Sequence, residues 1–165
     1  MKTLNNYIGE KLFIHQKEFL KRNYELKLND EVLGFINIVG IFKNKAKVKI
    51  FDKEYFFIQP SFWRSTLEVK ELNKELPIAT YFSKAFRNFG FINLPLGESL
   101  KVNFSLLSSQ YEIINPFNEV VIKYYNKFSF KFRTEVSIEK DSILLEKYPW
   151  IIFIPFYLYQ EKRKN

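Results

Sequence analysis

Residues 148–159 read Tyr-Pro-Trp-Ile-Ile-Phe-Ile-Pro-Phe-Tyr-Leu-Tyr without a charge, and Glu161, Lys162, Arg163 and Lys164 follow almost at once. A segment apolar on every side must be enclosed by something. Pro149 suits the first turn of a helix, and Pro155 is expected to kink or break it. As a helix the run spans about 18 Å, against a hydrocarbon core of about 30 Å, so it cannot cross a bilayer alone. It can fill a β-structure from inside, lie in a membrane interface, or serve as a last strand. Asp141 or Ser142 is a suitable N-cap, and a C-terminal hydrophobic helix over residues 142–161, packed inside the fold, is the reading adopted.

The chain before it repeats one pattern: an alternating run, an Asn or Asp turn with a Glu, and a second run. Tyr24–Leu28 meets Asn29-Asp30-Glu31 and then Val32–Ile36. Ala46–Phe51 meets Asp52-Lys53-Glu54 and then Tyr55–Ile58. Ser65–Val69 leads through Asn73-Lys74-Glu75 to Leu76–Ala79, and Tyr111–Ile114 through Asn115–Glu119 to Val120–Ile122. Asn and Asp tolerate left-handed backbone and hydrogen-bond their own turns, so these are hairpins. With the runs Leu100–Leu106 and Lys127–Ile138, the expectation is an all-β fold. It is an antiparallel β-barrel of about 10–12 strands built from hairpins, with the apolar helix inside. Residues 12–20 fit neither period cleanly and read as a strand or short helix. Residues 86–96 hold Asn88, Gly90 and Pro95 and read as loop and turn.

Composition fits one globular domain over residues 1–165. The chain is 47% hydrophobic and 27% charged, and its 19 Phe and 10 Tyr suit pleated, half-buried surfaces. There is no Cys, which excludes disulfides and thiolate zinc sites. Glu10, Lys11, His15, Lys17 and Glu18 interrupt the N-terminal region, so no secretory signal is expected. No conventional transmembrane helix is expected either, and the location expected is cytoplasmic, peripheral at the membrane. The net charge of +8 attracts phosphate backbones, acidic headgroups or acidic proteins.

Catalytic material is thin. His15 is the single histidine, and Asp30, Asp52 and Asp141 all fall at turns or a cap. Glu31, Glu54, Glu75 and Glu119 open strands after turns, where a solvated strand end explains them. No phosphate loop, dinucleotide fingerprint, nucleophile elbow or zinc motif is present. The expectation is a protein that is not an enzyme, with no metal and no cofactor.

Two basic ladders are sharper. Lys43, Lys45, Lys47 and Lys49 share one parity, opposite Phe42, Ala46, Val48 and Ile50. Lys123, Lys127, Lys131 and Arg133 share another, opposite Tyr124, Phe128, Phe130 and Phe132. Such ladders solvate an outer face and deter edge pairing, or they bind anions. Phe62-Trp63-Arg64 offers a Trp that packs at a rim, stacks on a base or sits at a lipid interface.

The hairpins from Asn29 to Glu119, the segment Gln59-Pro60-Ser61-Phe62-Trp63-Arg64 and the final apolar run together resemble the tubby C-terminal-like superfamily, with its LURP-one-related proteins and phospholipid scramblases. The resemblance covers most of the chain from about Leu12 onward and is one of layout. It implies a twelve-stranded barrel around a hydrophobic helix. In tubby proteins it also implies phosphoinositide binding through basic residues, and no individual residue carries over. The function expected is therefore a non-catalytic binding or scaffold protein that docks reversibly on anionic membrane through Lys43, Lys45, Lys47, Lys49, Lys123, Lys127, Lys131 and Arg133. The alternatives are a nucleic-acid-binding β-module, and a carrier or enzyme with an internal barrel pocket.

Overall fold

A computed structural model describes residues 1–39, 45–60, 66–84, 86–127 and 132–164. Lys43 and Lys131, together with Phe42, Phe62-Trp63-Arg64, Phe128 and Phe130, lie outside the described residues.

After a 3₁₀ turn at Leu4–Tyr7, twelve strands follow in sequence. They are β1 (Lys11–Gln16), β2 (Asn23–Leu28), β3 (Glu31–Val39), β4 (Lys45–Ile50), β5 (Lys53–Ile58), β6 (Thr66–Glu71), β7 (Ala79–Phe82), β8 (Phe89–Asn93), β9 (Ser99–Phe104), β10 (Gln110–Ile114), β11 (Val120–Lys127) and β12 (Arg133–Ile138). Each pairs antiparallel with its sequence neighbour, and β12 returns to β1, closing an up-and-down barrel. Closure leaves no sheet edge unpaired.

The expected hairpins form, with boundaries set by local chemistry. Asn29, Asn73 and Asn118 sit at positive φ in their turns, as turn asparagines do. The strand expected at residues 76–79 begins only at Ala79, because Pro77 has no N–H for the ladder. The stretch expected as loop at residues 86–96 contains β8. Phe89 and Phe91 stand outward and Ile92 packs inward, while Gly90 lies beneath Tyr81 of the paired β7. A Cβ on Gly90 would come within 2.3 Å of the Tyr81 hydroxyl. This glycine marks close approach of a ring and not a turn.

A barrel of twelve strands is wider than the side chains of its own inner face can fill. The apolar tail fills it. Ser142 caps α1 (Ile143–Lys147), its side chain accepting a hydrogen bond from the Leu144 N–H at 3.2 Å. A 3₁₀ segment at Pro149–Phe153 and α2 (Ile154–Lys164) then run up the lumen. Pro149 opens the 3₁₀ segment and Pro155 falls in the first turn of α2, where a missing N–H leaves no helical bond unmade. Trp150 to Ile154, Phe156 and Tyr157 are at most 1% exposed. Tyr124 donates to the Ile152 carbonyl at 2.8 Å, Phe57 meets Tyr157 edge-on at 5.8 Å, and Tyr111 stacks between Tyr124 and Tyr159. No helix among the described residues is long and apolar enough to cross a membrane.

Candidate basic surface

Regular up-and-down order sorts the connections by parity. Those after β1, β3, β5, β7, β9 and β11 leave one rim, called upper here, and those after the even strands leave the lower rim. The last turn of α2 emerges at the upper rim. There Arg22 pairs with the buried Glu161 at 2.7 Å, and the Lys162 ammonium lies 4.0 Å over the Phe104 ring.

The charges divide along this axis. Described upper-rim residues outside the strands include Lys17, Lys21, Arg22, Lys84, Arg87 and Lys162, against Glu18 and Glu161. The strand ends Lys45, Lys127 and Arg133 stand at the same level. The lower rim holds Glu10, Asp30, Asp52, Glu75, Glu98, Glu119, Glu139, Asp141 and Glu146, against Lys2, Lys74, Lys140 and Lys147. Large apolar side chains are exposed at both ends: Phe19, Leu20, Phe86, Leu106 and Leu107 above, Leu76, Leu96 and Phe117 below. Charge therefore distinguishes the rims, and apolarity does not.

The two ladders occupy different walls. β4 and β11 are five steps apart around the ring, so no flat surface meets both. On β4, Lys45 stands between Val39 and Ile58, Lys47 between Asn37 and Phe56, and Lys49 between Phe35 and Glu54. Lys47 and Lys49 are only half-exposed. The Lys45 ammonium lies 4.3 Å over the Phe56 ring, and Lys47 reaches Glu54 at 3.4 Å. These aliphatic stems cover the outer apolar residues while their heads reach water.

The second ladder is not one strand. Lys123 and Lys127 lie on β11 and Arg133 on β12, with Lys127 and Arg133 directly opposite. Lys123 faces Glu112 and Ser137. Lys127 binds Glu135 at 2.9 Å and holds that carboxyl below the usual carboxylate range. Arg133 lies 3.6 Å over the Phe13 ring. His15 sits beside Arg133 and Glu25 on the outer wall, and its imidazole is pushed below the ordinary value first by burial and then by Lys27. Among the described residues no group of His, Cys, Asp or Glu is arranged to hold a metal ion.

The rim cations escaped a reading by parity along single runs, since they are scattered through every second connection. The signal was nevertheless present. All four Asn/Asp-Glu hairpins are even-numbered connections, so their acids gather at the lower rim.

No protein-family model and no curated protein matches the chain. The X-ray structure of a protein from Arabidopsis thaliana is similar to it in fold, with a TM-score of 0.61, covering 97% of this chain and 96% of that one at 11% identity. At that identity the likeness is one of architecture, a closed twelve-stranded antiparallel barrel.

Proposed function

We propose that this chain is a non-catalytic binding or scaffold protein, a single tubby-like barrel domain, cytoplasmic and peripheral, that docks reversibly on anionic membrane lipids. The observation that carries the reading is the separation of charge along the barrel axis. The upper rim is the docking face. Lys45, Lys127 and Arg133 join it at the ends of the two ladders, while Lys47, Lys49 and Lys123 belong to the walls.

The magnitudes fit reversible attachment. Outside the strands alone, the six rim cations exceed Glu18 and Glu161 by four, worth about 4 kcal/mol at about 1 kcal/mol per cation near an anionic surface. That alone gives a dissociation constant near 1 mM. Each inserted Leu or Phe tip adds about 1.5–3 kcal/mol, so one or two tips bring binding to about the micromolar range. The carrier reading needs an empty lumen, and α2 occupies it.

Co-sedimentation tests the proposal. Phosphatidylcholine vesicles containing phosphatidylserine should pellet the protein at low salt and release it at high salt, and phosphatidylcholine alone should not pellet it. Converting Lys84 and Arg87 to Glu should weaken the interaction by at least about tenfold. Converting Lys47 and Lys49 to Gln should change it little. Pelleting that ignores the rim substitutions sinks the docking face, and tighter binding of an oligonucleotide than of vesicles turns the reading to a nucleic-acid module.

A further inference from the structure

At the upper rim, a cleft of about 470 Å³ opens between the last turn of α2 and the connections after β7 and β9. That is within the size of small-molecule sites, about 300–1,000 Å³. Phe104, Leu106 and Tyr159 form its apolar wall, and Arg87 and Lys162 are the cations on it. Lys162 lies over Phe104, and burial holds its ammonium below the ordinary lysine range. Among the described residues no carboxylate forms an ion pair with either cation. Lys162 is exposed overall with its ammonium set against the Phe104 ring, and an anion placed beside it supplies a charge partner at an apolar surface. Phe86 stands at the mouth of the cleft, its side chain projecting fully into solvent.

We propose that this cleft is a saturable site for an anionic amphiphile, one phosphate or carboxylate head bound by Arg87 and Lys162 with one acyl chain laid over Phe104, Leu106 and Tyr159. The C-terminal end of α2 carries about half a negative charge, which either cation more than offsets, so the pair leaves net attraction for the head. The apolar wall then selects against inorganic anions. The site takes a single molecule, so it goes beyond docking on a surface. The amphiphile comes either from a bilayer or from solution.

The test titrates decyl phosphate below its micelle concentration, following the Tyr159 ring signals by NMR and affinity by calorimetry. Saturable binding that shifts Tyr159 is expected. Arg87→Gln and Lys162→Gln should each weaken it about tenfold, and Leu106→Ser should weaken it with unchanged Tm. Inorganic phosphate and decanol should produce no saturable shift at the same concentrations. No binding, equal affinity in the Gln variants, or decanol binding as tightly as decyl phosphate overturns the site. Phosphatidylserine vesicles separate the sources. If Lys162→Gln weakens both decyl phosphate and vesicle binding, the membrane supplies the amphiphile. If decyl phosphate binds and vesicles do not, docking fails while the cleft stands, with a soluble amphiphile as ligand.

Discussion

Four tyrosines show how burial of single residues sets the conditions under which this barrel survives. Burial pushes Tyr55 and Tyr81 up to about 12, and holds Tyr124 and Tyr157 well above the ordinary phenol range. A raised folded value means that the folded state keeps its protons where the unfolded chain, titrating near pH 10, gives them up. Stability is then fully present below about pH 10 and falls as pH climbs toward 12, by up to about 1.4 kcal/mol per pH unit for each tyrosine. Thermal melts across this window should show Tm falling, with tyrosinate absorbance appearing together with unfolding. Tyrosinate formation in a protein that stays folded would show these rings to be accessible. Tyr124 is the firmest of the four, since its hydroxyl also serves the Ile152 carbonyl. The abundance of Tyr was readable from the sequence, and the face of Tyr124, opposite the second cation ladder, followed from alternation. Gly90 was not readable. Its reason is the Tyr81 ring, brought over it by the pairing of β7 with β8, and no local signal records that contact.

At the scale of elements, the apolar tail and the sheet depend on each other. The apolar side chains of the tail and the inward side chains of the strands form one core cluster, each covering the other. Removing residues 148–165 deletes Trp150, Phe153, Phe156 and Tyr157 from sockets where they are all but completely buried. Deleting a large buried aromatic side chain costs about 3–5 kcal/mol. Four such losses equal or exceed the whole stability of a typical domain, about 5–15 kcal/mol. A chain ending at Lys147 should therefore lack a cooperative thermal transition and near-ultraviolet dichroism. A soluble truncation that melts cooperatively would mean that the strands hold a core of their own. The plug was legible because twelve uncharged residues, too short to span a bilayer, leave few places to go. Its division into α1, a 3₁₀ segment and α2 was only half legible. Pro149 marks one junction, but the start of α2 at Ile154 is fixed by packing against Tyr24 and Phe57, whose rings meet Phe156 and Tyr157.

For the molecule as a whole, the decisive variable is which way the barrel faces a charged surface. Side-wall docking through one ladder and end-on docking through the upper rim use overlapping cations, so charge substitutions alone separate them poorly. Depth separates them well. The chain has no Cys, so a single introduced thiol carries the only label. Leu107 on the upper rim and Phe117 on the lower are both strongly exposed, and Asn37 stands on the wall beside Lys47. An environment-sensitive fluorophore on Leu107→Cys should shift to the blue when phosphatidylserine vesicles are added, while the same label on Phe117→Cys or Asn37→Cys should not. A shift at Asn37 alone assigns docking to the β4 wall. A shift at Phe117 reverses the proposed polarity, and would require the acidic rim to approach an anionic bilayer against its own charge. Because the even hairpins place their acids on one rim and α2 brings Lys162 to the other, end-on docking is the orientation in which the net charge of both rims works in the same direction.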